Sequence, residues 1–348
     1  MSAEMTLENL EPIGLETIRG RRILRVASGV TLAMALATAI AWPLSFLTAV
    51  LVGLLLGAPA ALTLRAGLGF VLIIAIAMAA SLFLSVKLLA YPLVFFGIVG
   101  LLLFRIFYAA SGGGNPLFVL WMIVGLLVIP LVTMSAPIAG AVIGFYITFG
   151  AAIAVGIVWL MQTLIPHPET DATTAAHAAK PEIPAPPVRF RSAAISTLAV
   201  MPLMVLFYVF QLSQHLVILI FAAILAISAS SVAGLKGGSA LIVANIGGGA
   251  IALVVYNLLV AVPDLAFFVV LMFLTTLLIG RQLFSERPNA ALYGSALNTV
   301  LIVIGSVTTS TAEADGKVYL RIAQIILAVI YIVAAFGLLE GLWRKRAS

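Results

Sequence analysis

The chain has 348 residues, of which 64% are hydrophobic and only 9% charged, with a mean hydropathy of +1.25 and a net charge of +6. A soluble domain carries about 25% charged residues, so this chain cannot cover a globular surface and reads as an integral membrane protein. The lack of cysteine excludes disulfides and thiolate sites, and three histidines, His167, His177 and His215, are too few for a histidine-rich metal centre.

Residues 1–18 hold Glu4, Glu8, Glu11 and Glu16 and no base, unlike a signal peptide, which opens with positive charge. They read as a cytoplasmic tail, followed by Arg19, Arg21, Arg22 and Arg25 as a basic lead-in. Apolar stretches long enough to cross about 30 Å of hydrocarbon then follow one another. The predicted spans are 26–43, 46–63, 67–86, 88–107, 117–135 and 138–164. Segment 165–190 has six prolines around an Ala/Thr-rich middle and reads as a tether without a regular helix. Six further spans are predicted at 192–210, 214–233, 238–260, 264–283, 290–310 and 318–342. Strand-type alternation is absent, which disfavours a membrane barrel.

Lysine and arginine set the orientation. With the N-terminus cytoplasmic, 15 of the 18 bases fall on the cytoplasmic side, and Lys87, Lys317 and Arg321 fall outside. Asp264, Glu313 and Asp315 also fall outside. The net charge therefore reflects membrane topology, and no nucleic-acid partner is expected. Both termini are expected inside a bacterial inner, or plasma, membrane.

The two sets of six spans share landmarks. Leu64-Arg65-Ala66-Gly67 is matched by Leu235-Lys236-Gly237-Gly238, at an offset of 236 − 65 = 171. Leu103-Phe104-Arg105 is matched by Ile279-Gly280-Arg281, and Asn115-Pro116 by Pro288-Asn289. An even number of spans per half gives parallel repeats about an axis along the membrane normal. The expected fold is therefore an all-α membrane protein of about twelve transmembrane helices in two parallel six-helix repeats. Its parts are a tail and basic lead-in at 1–25, repeats at 26–164 and 191–343, a Pro-rich linker at 165–190, and a basic tail at 344–348.

None of the twelve acids falls mid-membrane, so no carboxylate relay and no counter-charge for a cationic substrate is expected. Arg65, Lys236, Arg105 and Arg281 place cations at the inner ends of spans, where they would concentrate anions, and arginine offers a bidentate fork for carboxylates. The topology rule alone would also put a base there. Asn245, in Asn245-Ile246-Gly247-Gly248-Gly249, and Asn298 lie at membrane depth, as do Asn257 and Gln324 near it. Each reads either as a helix–helix hydrogen bond or as a substrate contact. The glycine run beside Asn245 allows close approach or a locally broken helix. Gly53-x-x-x-Gly57 and Gly140-x-x-x-Gly144 read as packing faces. There is no P-loop, and no loop gathers acids or histidines for catalysis at the membrane surface. Neither an enzyme nor a cofactor is expected.

Arg22-Ile23-Leu24-Arg25-Val26-Ala27-Ser28-Gly29 at the first span, together with two six-span sets around a hydrophilic break, resembles the fusaric acid resistance family. These are bacterial inner-membrane proteins akin to aromatic-carboxylate exporters and, more distantly, to plant malate channels. The resemblance implies export of organic, often aromatic, carboxylates with a periplasmic membrane-fusion adaptor as partner. Family exporters carry a larger cytoplasmic region between the halves, of which only 165–190 remains here. The expected function is export of small organic anions across the bilayer. The alternatives are a major-facilitator-type transporter, against which the acid-free Thr63–Gly67 turn weighs, and a non-transporting membrane scaffold.

Overall fold

The computed structural model describes residues 10–40, 44–58, 60–114, 116–166, 183–212, 235–287 and 289–308, with a few helical residues at 218–219 and between 327 and 339. The described residues form helices and no strands. The helices are α1 (Leu10–Ile40), α2 (Phe46–Gly57), α3 (Leu64–Leu88), α4 (Pro92–Ser111), α5 (Pro116–Ser135), α6 (Pro137–Leu164), α7 (Pro186–Val209), α8 (Leu235–Ala261), α9 (Leu265–Leu283) and α10 (Ala290–Thr308). Eight of them are long and apolar enough to cross a membrane, and α2 and α10 contain the shorter apolar segments. Helices are the natural solution for such a chain, because hydrocarbon offers no partner to backbone N–H and C=O groups. The expected spans 214–233 and 318–342 lie largely outside the described residues.

Three boundaries differ from the sequence reading. The N-terminal stretch is helical from Leu10, so the basic lead-in belongs to α1. Helix α7 begins at Pro186, inside the segment read as a tether, with prolines in its first turn. A first-turn proline loses no hydrogen bond, and its fixed φ suits helix initiation. The stretch read as a span over 46–63 is helical only to Gly57. Ala58 is extended at φ −65°, ψ 143°, the conformation forced on a residue that precedes a proline, here Pro59. Twelve residues make a helix of about 18 Å, short of the roughly 30 Å of hydrocarbon.

Nine of the twelve residues of α2 are buried, so its backbone is held within protein rather than lipid. The turn behind it is braced. The indole N–H of Trp159 donates to the Leu62 carbonyl at 3.2 Å, the Ala66 N–H donates to Thr63 Oγ1 at 3.3 Å, and the Gly67 N–H donates to the Thr63 carbonyl at 2.9 Å. Irregular backbone at such a place is tolerated only with its polar groups satisfied in this way.

The chain divides into two compact units. One comprises Met1–Gly67, Ala152–Ala179 and Gly247–Ser310; the other comprises Leu68–Ala151, Lys180–Ile246 and Thr311–Ser348. Each draws its outer segments from one half of the sequence and its middle segment from the other. In the first unit α1 packs against α2, α9 and α10, α9 packs on α10, and α10 packs on α2. In the second unit α7 packs against α4 and α5, and α4 packs on α5. The first described helix of each half thus lies against two later helices of the other half.

One enclosed helix organises each unit. In the second it is α5, with Ile123–Val124 and Leu126–Ile129 buried around its circumference. In the first it is α10, buried from Thr299 through Val307. Small residues set the closest approaches. A Cβ on Gly29 of α1 would collide with Leu56 of α2 and would meet Met161 at 3.1 Å and Val52 at 3.2 Å, whereas Gly20 of the same helix faces open space. Gly29→Leu should therefore cost about 1–3 kcal/mol by overpacking, and Gly20→Ala should be neutral or stabilising by up to about 1 kcal/mol through helix propensity. Denaturant titration of the purified protein in micelles checks the opposite signs.

Candidate functional site

The cations singled out in the sequence occupy helix ends. Arg65 is the second residue of α3 and is exposed. Its turn is fixed from behind: a Cβ on Gly67 would lie 2.7 Å from the Trp159 ring and 2.8 Å from Val155. Only glycine lets the chain run that close to α6. Lys236 is the second residue of α8, the position Arg65 holds in α3, and its side chain lies outside the described residues. Arg105, near the end of α4, and Arg281, in the last turn of α9, are both exposed. Helix α9 is polarised along its length. At its start Asp264 accepts from the backbone N–H groups of Ala266 at 2.8 Å and Phe267 at 3.1 Å, an N-cap that also suits the helix dipole. Arg281 lies at the opposite end.

Two other arginines hold helix ends together. Arg19 of α1 donates to the backbone carbonyl of Arg281 at 2.8 Å. Arg189 of α7 donates to the Tyr108 carbonyl at 3.2 Å, and its guanidinium stands 4.3 Å from the centre of the Tyr108 ring. In both cases a cation in the N-terminal part of one helix meets the end of an antiparallel neighbour, where carbonyls lack backbone partners within their own helix. The far end of the α4–α7 pair is closed by Tyr208, whose hydroxyl donates to the Leu89 carbonyl at 3.4 Å and whose ring packs against Phe95 and Phe96. The sequence places Arg19 in the basic lead-in and pairs Arg189 and Arg191 with Arg22 and Arg25 as the basic openings of the two halves, without a helix-clasping role. The signal available was their offset, 189 − 19 = 170, nearly that of Arg65 and Lys236.

Arg25 was also read as part of the basic lead-in. It is 1% exposed and is the one fully buried charged side chain among the described residues. Asp264 and Glu286, the acids whose side chains are described, are both exposed. No group of three or more acids or histidines that could hold a metal occurs among the described residues.

The amides separate by environment. Asn245 of α8 is 5% exposed. Asn298 of α10 is half-buried. Asn257 is exposed and donates to the Leu253 carbonyl of its own helix at 2.7 Å, which satisfies it locally. Gln324, His167, His177 and His215 lie outside the described residues.

Helix α8 continues unbroken through Gly247-Gly248-Gly249, so the glycine run provides close approach and no break. Only the middle glycine is used, since Gly247 and Gly249 face open space. A Cβ on Gly248 would lie 2.6 Å from the Ala296 carbonyl oxygen and 2.9 Å from Thr299 of α10. The Gly140–Gly144 face is likewise internal: Gly140 abuts Thr133 and Leu82, and Gly144 abuts Met78. Gly53 packs on Val30, while Gly57 faces open space. A small cavity lined by Leu131, Met134, Ser135 and Gln211 has a volume of about 30 Å³, room for a water and not for an organic anion.

Residues 22–161 match the model of a family described as Protein of unknown function (DUF2955). No curated protein matches the chain, and no solved structure matches it.

Replacing the clasping arginines separates their role from that of the exposed ones. Arg19→Gln should cost about 1 kcal/mol. Arg189→Gln should cost about 1–3 kcal/mol, because the contact with the Tyr108 ring is lost as well. Arg105→Gln should stay within about 0.5 kcal/mol of the parent. The same micelle titration ranks the three.

Proposed function

We propose that this chain is a duplicated, twelve-span inner-membrane exporter of small organic anions, with both termini cytoplasmic. The observation that carries the anion reading is the charge distribution. Guanidinium groups of Arg65, Arg105 and Arg281 are exposed at the ends of spanning helices, and neither acid whose side chain is described, Asp264 or Glu286, is buried. Such ends raise the local concentration of anions, and each arginine can grip a carboxylate in two parallel hydrogen bonds. Lys236 completes the set at the start of α8. Asn245 and Asn298 supply hydrogen-bonding groups at membrane depth.

The duplication is supported by several pairings at nearly one offset. The starts of α3 and α8 differ by 235 − 64 = 171, those of α4 and α9 by 265 − 92 = 173, and those of α5 and α10 by 290 − 116 = 174. The Arg19 and Arg189 clasps correspond, and so do the packing partners of α1 and α7. Among the described residues, Leu44 and Gln211 are the two positive-φ positions other than glycine, at 60° and 51°. Each stands in the turn that follows the first helix of its half. The family match over 22–161 coincides closely with the first set of spans. The aromatic character of the cargo and a periplasmic membrane-fusion adaptor as partner rest on the resemblance to the fusaric acid resistance family.

Everted membrane vesicles given a labelled aromatic carboxylate test the reading. Vesicles containing the protein should accumulate the acid. An Arg105→Ala/Arg281→Ala variant should do so about tenfold more slowly at low ionic strength, with the gap closing as salt screens the exposed charges. Accumulation no greater than in vesicles lacking the protein would sink the exporter reading. An undiminished double variant would remove the arginines from it.

A further inference from the structure

The α8–α10 crossing in the first unit has a counterpart in the α3–α5 crossing of the second. A Cβ on Gly125 of α5 would lie 2.7 Å from the Ser81 hydroxyl and 3.2 Å from the Ala77 carbonyl oxygen of α3. In the first unit Gly248 of α8 meets the Ala296 carbonyl of α10. Both partners correspond at one offset, Gly248 with Ala77 (248 − 77 = 171) and Ala296 with Gly125 (296 − 125 = 171). Each crossing pairs one glycine with one alanine, on exchanged helices.

The side chains around the two crossings differ in kind. On α5, Val124, Leu127 and Val128 are all buried. At the same offset α10 carries Ser295, Asn298 and Thr299. On the partner helices Ile74 is matched by Asn245. An enclosed apolar helix in one unit therefore corresponds to an enclosed helix with a polar stripe in the other. Packing does not require that stripe, because Val124, Leu127 and Val128 make the equivalent approach without it.

Of the three polar groups on α10, Thr299 turns its hydroxyl to the Ser295 carbonyl of its own helix at 3.0 Å. The half-buried Asn298 amide makes no hydrogen bond with another described residue. Its amide keeps accessible surface rather than being sealed off without a partner, and it does not reach back to a carbonyl of its own helix as Thr299 and Asn257 do.

We infer that Asn298 is a one-sided recognition point for cargo, a residue that determines specificity and that the other unit replaces with Leu127. This rests on the transport reading above and adds the chemistry of the contact. An amide presents a donor and an acceptor side by side and carries no charge. It therefore pairs with a carboxyl, carboxamide or hydroxyl group by hydrogen bonding. Capture at the helix ends depends on charge, and the fit at Asn298 depends on hydrogen-bond pattern.

The chain contains no cysteine, so single thiols can be introduced without background. Asn298→Cys and Leu127→Cys variants would be treated in membranes with a small methanethiosulfonate reagent. The Asn298→Cys variant should react on the order of tenfold or more faster, because the thiolate forms only where water reaches it. A Ser295→Cys variant, one turn away with Asn298 intact, should be slowed about tenfold by benzoate at about ten times its dissociation constant, because the ligand occupies the site. Equal labelling of Asn298→Cys and Leu127→Cys, or none at either, overturns the one-sided site. Labelling of Ser295→Cys that benzoate leaves unchanged overturns the contact of Asn298 with aromatic carboxylates. Vesicle uptake by the parent protein judges the exporter reading separately, so the two failures are distinguishable.

Discussion

The packing of α1 along α9, and of α7 along α4, is the constraint on which the described structure depends. Each pair joins the first described helix of one half of the sequence to a later helix of the other. Each is closed at one end by an arginine that donates to a carbonyl near its partner's C-terminus. The last carbonyls of a helix have no backbone partner within it. A guanidinium fixed by its own helix satisfies them and opposes the negative end of the dipole. One cation therefore joins two helices remote in sequence. Neither half forms a compact unit alone, because each lends its middle helices to one unit and its outer helices to the other.

That exchange gives α2 and α5 their places. Helix α2 is too short to cross and is buried almost all round, which its sequence tolerates because it carries no charge. Helix α5 holds Pro130 in its interior and is enclosed nonetheless. Proline removes one backbone donor, and in membrane helices the freed carbonyl finds partners among neighbouring groups. The close approaches at Gly29, Gly67, Gly125 and Gly248 supply packing energy that the hydrophobic effect cannot provide between helices in lipid. Small residues at crossings perform the work that large apolar side chains perform in water.

The chemistry of the proposed pathway follows from the same economy of polar groups. The chain carries few charges, and its exposed arginines stand at helix ends, where they remain hydrated and available to anions. Arg25 is the exception, buried within the first unit. Deeper in, the polar side chains are uncharged: Asn245, Asn298, Ser295 and the threonines. Most of the hydroxyls return to carbonyls of their own helices, as Ser81, Ser85, Thr133 and Thr275 do. Such back-bonding satisfies a hydroxyl without a neighbour. An asparagine can also reach back in this way, as Asn257 does; Asn298 does not, which sets it apart.

Sequence alone determined the membrane class, the helical character and most helix positions, because apolar runs of about twenty residues admit no other backbone solution in lipid. The landmark Leu64-Arg65-Ala66-Gly67 and its match at Leu235 were legible as equivalent helix starts, since the motifs and the helices share one offset. The early stop of α2 was also present in the sequence, in Pro59, but hydropathy outweighed it in the reading of 46–63. Other features required the tertiary structure. Composition could not show that Arg19 and Arg189 clasp carbonyls while Arg105 and Arg281 stay exposed, because every base near a membrane face carries the same topological signal. Nor could it show that Gly248 alone of its run makes contact, or that the units interleave the two halves. Those outcomes depend on which helix face meets which neighbour, and long-range packing fixes that pairing where local sequence leaves it open.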